Sequence, residues 1–245
     1  GDRVLLATPT STENSGLLAE ILPAFTAETG IEVDVLSMGT GKALATARRG
    51  DCDLVLVHAP AAELEFVRSG HGVERTAVMR NDFVLAGPAA DPVGVRGRDA
   101  AAALRRIAAA RAPFCSRADE SGTHLKEKEL WRAAGIEPAG GWYHRLGQGM
   151  GSTLHVAWEL DAYVLTDRAT YLQTRRAGWL EVLVAGDARL QNPYHVILVN
   201  PDRHPHVRAS RARRLVAWLT GPGGQRRIAR FELEGRRLFR PTARS

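Results

Sequence analysis

The sequence predicts an α/β protein of two lobes, each a mainly parallel sheet flanked by helices. Short apolar runs alternate with segments of helical apolar spacing along nearly the whole chain. There are more strand-like runs than one sheet needs, and no repeat or long flexible linker separates them. The 245 residues are 44% hydrophobic and 24% charged, which excludes disordered and collagen-like classes. No apolar run of about 18 residues exists, so no membrane-spanning helix is expected. Cys52 and Cys115 cannot build a disulfide scaffold and read as free, buried thiols.

The elements follow in order. Val4-Leu5-Leu6-Ala7 suits a buried parallel strand. Leu17, Leu18, Ile21, Leu22 and Phe25 recur at helical spacing, with Pro23 expected to kink that helix and Gly30 to stop it. Ile31, Val33 and Val35 alternate as a strand, and residues 42–49 form a short helix stopped by Gly50. Leu54-Val55-Leu56-Val57 is a second buried strand, followed by a helix over 61–68. Residues 82–86 read as a strand, 99–111 as an Ala-rich helix and 113–115 as a short strand. Helices over 124–134 and from 149 to about 160 follow, then a strand at 163–166 and a helix at 167–176. Strands at 182–184 and 196–199 precede two helices, at roughly 205–220 and 222–230. The segments 81–87 and 193–199 are the natural strands to cross between lobes.

The net charge of +6 is uneven. Residues 201–245 carry twelve arginines against Asp202, Glu232 and Glu234, while residues 1–200 are slightly acidic. With no aromatic stacking pattern or nucleic-acid motif beside the arginines, the segment reads as a solvated helical face and not a nucleic-acid patch.

Four loops rich in hydroxyls and glycine sit where strands end and helices begin: 8–16, 37–41, 116–123 and 147–153. Ligands of open α/β sheets bind at such strand ends, and helix N-termini there offer free N–H groups and partial positive charge. The pattern suits an anion, although each loop alone is satisfied by helix capping. Arg117 is the cation within the polar loop; it either pairs with Asp119 or Glu120 or clamps an oxyanion. No nucleophile elbow, phosphate-binding lysine loop or dinucleotide fingerprint occurs. His204-Pro205-His206 reads as a surface turn and not a metal pair. His58, His71, His124, His144, His155 and His195 are scattered singly.

Several stretches, in order, carry a family resemblance: Ala7-Thr8-Pro9-Thr10-Ser11-Thr12, Gly39-Thr40-Gly41-Lys42-Ala43-Leu44, Arg48-Arg49-Gly50-Asp51-Cys52-Asp53 and Met79-Arg80-Asn81-Asp82-Phe83-Val84. They continue through Ser116-Arg117-Ala118-Asp119-Glu120-Ser121-Gly122-Thr123-His124, Gly147-Gln148-Gly149-Met150-Gly151, Tyr163-Val164-Leu165-Thr166-Asp167-Arg168 and Asn192-Pro193-Tyr194. Nearly end to end, the chain resembles the substrate-binding proteins of tungstate-type ABC transporters, a branch of the class II periplasmic binding proteins. The resemblance implies a Venus-flytrap fold with two hinge strands, lobe one being 1–81 with the return segment 196–245 and lobe two 82–195. It implies a tungstate or molybdate ion held in the cleft between lobes and delivered to a membrane permease. It maps Thr10 and Ser11, Arg117, Ser121 and Thr123 onto the ligand set, and loop position adds Thr40 and Thr153.

The family carries a hydroxyl where this chain has Pro9, which can donate neither O–H nor N–H. The resemblance further implies no enzymatic activity, no cofactor, no protein-ligated metal cation and no nucleic-acid partner. It implies a monomer in the periplasm or at the cell surface. The chain opens without Met or leader, which reads as a mature or trimmed form of an exported protein. Two other readings stay open: the effector domain of a transcription regulator, and a receptor for vanadate, sulfate or phosphate.

Overall fold

A computed structural model describes residues 2–233 and 235–242. The elements run β1 (Arg3–Pro9), α1 (Thr10–Asn14), α2 (Leu17–Thr29), β2 (Glu32–Met38), α3 (Thr40–Arg48), β3 (Leu54–Val57), α4 (Pro60–Arg68) and β4 (Gly72–Gly87). Next come α5 (Ala100–Ala110), β5 (Phe114–Ser116), α6 (Gly122–Ala133), β6 (Tyr143–Arg145), α7 (Met150–Glu159), β7 (Tyr163–Asp167), α8 (Arg168–Thr174) and β8 (Glu181–Val184). A 3-10 turn at Ala188–Leu190 leads into β9 (Gln191–Val199), α9 (Ala209–Thr220) and α10 (Pro222–Arg230). Short strands close the chain: β10 (Glu232–Leu233), β11 (Arg236–Arg237) and β12 (Arg240–Pro241). Among the described residues, no helix is long and apolar enough to cross a membrane. Contacts divide the chain into two compact units, one running to Arg80 and resuming at Pro193, the other Asn81–Asn192.

In the first unit β1 pairs in parallel with β2, from Arg3↔Glu32 to Pro9↔Met38, and with β3 at Leu6↔Leu54. β9 closes on β3 in the antiparallel sense, Leu54 facing Leu198. All four residues of β3 are buried, as a strand covered on both faces requires. Its core joins Ala7, Leu44, Val55, Phe66 and Ile197. The carboxylate of Asp53 ties the unit together, accepting N–H bonds from Leu5 and Arg208, each at 2.7 Å. Because β1, β2 and β3 are parallel, Pro9, Met38 and Val57 end on one edge, and α1, α3 and α4 start there.

In the second unit β5 lies between β6 and β7, parallel to both, with Phe114 opposite Tyr143 and Tyr163. β4 runs antiparallel to β7, Phe83 facing Asp167, and also carries β8. Phe83, Leu104, Ile107, Phe114, Trp131 and Leu165 are among its core. Cys52 and Cys115 are free and buried, one in each unit, and burial pushes each thiol up to about 12.

The mixed α/β class is as the sequence predicts, and several element boundaries are corrected. Residues 10–14 form a turn of helix where a loop was expected, because Pro9 ends the strand with a backbone suited to a helix start. β4 runs for 16 residues, not 5, since its place beside β9 and its pairing with β12 at Met79 and Arg80 are tertiary contacts that periodicity does not register. α2 ends at Thr29 with Gly30 as its C-cap, as expected, and Pro23 sits on its exposed side. α9 begins at Ala209, after Pro205 and the Asp53-held turn, not at 205. β6 and the short C-terminal strands went unanticipated for want of length. Glu234 and the last three residues of the segment 196–245 lie outside the described residues.

Candidate functional site

The four hydroxyl-rich segments lie at four helix N-termini, two in each unit. In the first unit α1 follows Pro9 directly, with Thr10 and Ser11 exposed and Thr12 fully buried. No side chain caps α1 or α3, so their first N–H groups are left for water or ligand. The hydroxyl of Thr40, which opens α3, has no partner among the described residues. Ser11 Oγ lies 3.5 Å from His58 Nε2, at the C-terminal end of β3. His58 in turn packs on Tyr194, ring centroids 4.6 Å apart.

In the second unit two loops are laced side by side. Leu146 donates its N–H to the Ser116 carbonyl at 3.0 Å, and Gln148 to that of Arg117 at 3.2 Å. This extends the β5–β6 ladder past its last pair and brings the starts of α6 and α7 alongside. Arg117 binds Asp119 through Nε at 3.1 Å and Nη2 at 2.6 Å. Burial pushes the Asp119 carboxyl up, but hydrogen bonds from Ser121 and the Arg117 guanidinium outweigh it, leaving it below the usual range. The loop is strained: Ala118 and Glu120 have φ of 48° and 55°, in the left-handed region.

The sequence-expected donors differ in what they have free. Ser121 is the N-cap of α6, accepting from His124 N–H at 3.3 Å. Thr123 is buried and its hydroxyl takes no partner among the described residues. Thr153 is fully buried and donates to the Gly149 carbonyl at 3.0 Å within α7, so it must turn before it can donate elsewhere. Thr10, Ser11 and Thr40 thus share one strand edge of the first unit, and Arg117, Ser121, Thr123 and Thr153 lie on the paired loops and helix starts of the second.

Sequence reasoning passed over three residues. Thr12 Oγ1 is buried with no partner among the described residues, an orphan donor in the middle of the hydroxyl run. His58 looked like one scattered histidine, and only the parallel ladder puts it beside Ser11. Glu127 carried no signal; it is buried on α6, accepting from Tyr143 Oη at 2.6 Å and Trp131 Nε1 at 3.1 Å. Burial pushes its carboxyl up to about 7 against those hydrogen bonds.

Two glycines suggest what the helix starts accommodate. Gly39 and Gly149, the N-caps of α3 and α7, have φ of −62° and −63°, which any residue adopts. A Cβ built on either meets nothing within 4 Å. Neither backbone strain nor packing calls for glycine there, and each glycine leaves the first N–H groups of its helix uncovered by a side chain. No group of three His, Cys, Asp or Glu able to hold a metal ion occurs among the described residues. Uncharged donors with a single arginine suit a small oxyanion.

The PBP superfamily domain matches residues 1–222 of the chain. The tungstate-binding protein TupA of Peptoclostridium acidaminophilum is 44% identical over 245 residues, 98% of this chain and 86% of that protein. The solved tungstate-binding protein TupA from Desulfovibrio alaskensis G20 is 46% identical, covers 100% of both chains and superposes with a TM-score of 0.92. The tungstate ABC transporter structure from Geobacter sulfurreducens is 45% identical over 94% of this chain and 98% of that one, TM-score 0.83. The chain belongs to the PBP superfamily and, within it, to the family of the tungstate-binding proteins.

Proposed function

We propose that this chain is the extracytoplasmic oxyanion-binding protein of an ABC transporter and that its ligand is tungstate, with molybdate the closest competitor. It acts as a carrier and not as an enzyme, and takes no cofactor. The observation that carries the reading is the pair of bare glycine N-caps, Gly39 and Gly149, set among hydroxyls with nothing to clash against. Relatives named for tungstate, at 44–46% identity over nearly the full chain, support the choice of ion.

In this reading Thr10, Ser11 and Thr40 donate to the ion from the first unit, and Arg117, Ser121, Thr123 and Thr153 from the second. Thr12 joins them as a further donor. Arg117 supplies the counter-charge that a dehydrated dianion needs, and Asp119 holds the guanidinium in place. Pro9 leaves the family's usual hydroxyl position without a donor, so neighbouring N–H groups carry that part of the shell. The loaded protein delivers the ion to a membrane permease as a monomer.

Isothermal titration of ligand-free protein with tungstate, molybdate, sulfate and phosphate at one pH and salt tests this. One-to-one binding of tungstate, with molybdate equal or weaker and sulfate silent, is expected. Heat from none of the four removes the oxyanion reading.

A further inference from the structure

The second unit holds a buried carboxyl that the ligand set leaves unused. Glu127 lies on α6 four residues after Thr123, so the two share one face of the helix, about 6 Å apart along its axis. Both are buried. The Ser116 hydroxyl, beside the carboxyl, favours its charged form. Ser116 Oγ in turn accepts the N–H of Ala118 at 3.2 Å, at one of the two strained positions of the Arg117 loop. Glu127 therefore lies one turn behind the helix start that presents Thr123, with Ser116, at the base of the Arg117 loop, beside it.

The surroundings of Glu127 leave few other groups to answer a charge. From β5 it faces Cys115 and Ser116, and from β6 Tyr143 and Arg145. Trp131 donates from its own helix. With Glu127, apolar side chains, Leu85, Leu104, Phe114, Leu130, Leu165 and Leu190 among them, line a small cavity. Water cannot screen the carboxylate there, so a dianion arriving at the α6 start acts on it through poorly screening protein.

We infer that Glu127 is the proton-linked partner of the anion site: a dianion at the α6 start and an ionised carboxylate buried one turn behind it repel each other, so capture of the ion loads a proton onto Glu127. This rests on the oxyanion reading above. The carboxyl already titrates at about 7, and a nearby dianion raises it further. Linkage then requires the reverse effect: the ion binds more tightly as the pH falls through that range. His124, on the same helix, is held below the usual histidine range, mainly by burial, and is the competing proton acceptor.

The test is calorimetry of the whole chain with sodium tungstate in two buffers of different ionisation enthalpy at about pH 7.5. The wild type takes up a fraction of a proton per ion, and its Kd weakens about three- to tenfold from about pH 6.5 to 8.5. Glu127→Gln, which keeps the shape, loses the uptake and shows a flat profile. Tyr143→Phe, which removes a hydrogen bond favouring the carboxylate, moves the midpoint of the wild-type profile upward and serves if Glu127→Gln does not fold. Tungstate binding without proton uptake in the wild type overturns the inference and leaves the oxyanion reading standing. Uptake that survives in Glu127→Gln assigns the proton to another group and overturns it equally. An absence of heat with any of the four oxyanions removes the reading itself, and the inference falls with it.

Discussion

Gln148 donates its backbone N–H to the carbonyl of Arg117 at 3.2 Å, locking the loop before α7 to the loop before α6. A contact between residues 31 apart thus decides that two helix starts lie side by side. The loop that presents the arginine cannot drift from the one that presents bare backbone at Gly149. That is preorganisation: a small ion loses least when its donors are in place before it arrives.

Arg117→Ala should weaken tungstate binding by about 2–5 kcal/mol, because a buried dianion is left short of its counter-charge. Arg117→Lys should recover only part of it, since an ammonium lacks the fork that Asp119 now holds. Titration calorimetry reads both; a change under about tenfold for the alanine variant would remove Arg117 from the site.

Gly149→Ala and Gly39→Ala separate binding from folding. Each added methyl meets open space on a permitted backbone, so stability should change by less than about 1 kcal/mol. Affinity should drop at least about tenfold if bare backbone approaches the ion. Unchanged binding in both variants, measured beside their thermal melts, would mean that the glycines serve only as caps.

Glu127 also predicts a pH dependence of stability in the ligand-free protein. Its folded carboxyl is raised from 4.5 to about 7, so the contribution is full below the unfolded value and is lost as pH rises through about 7. The shift corresponds to about 3 kcal/mol. Urea unfolding at about pH 5 and pH 8 should show Glu127→Gln gaining on the wild type by that order at the higher pH. An equal difference at both values would place the carboxyl in its ordinary range.

Asn192 Nδ2 donates to Asn81 Oδ1 at 2.7 Å, both side chains buried at the ends of the second unit. Asn192→Ala should cost about 1–3 kcal/mol, because a buried hydrogen bond between the two amides is lost. Chemical denaturation of the variant checks this, and a loss below about 0.5 kcal/mol would show that water replaces the bond.

The helix starts that make up the candidate site were partly legible in the chain because such starts are local events. Ser121 caps α6 through its own hydroxyl, and Thr40 opens α3 immediately after Gly39. The hydroxyl run around Thr10 and the glycines around Gln148 mark strand-to-helix junctions without any tertiary information, although the turn of helix over Thr10–Asn14 itself was not legible. The α/β class was legible for the same reason, since Leu54–Val57 and the spacing from Leu17 to Phe25 are periods of two kinds within one chain segment.

What the tertiary structure alone decided are the partners. Whether Arg117 turned to Asp119 or Glu120 was open in the sequence, and the loop geometry chose Asp119. His58 gained a neighbour in Ser11 only through the parallel register of β1 and β3. Glu127 became a titrating group near neutrality because burial in an apolar shell outweighs the hydrogen bonds from Tyr143 and Trp131, which favour its charged form. Periodicity reports which face of an element is apolar. Register and burial decide which distant residue that face meets, and burial sets the charge a carboxyl can keep.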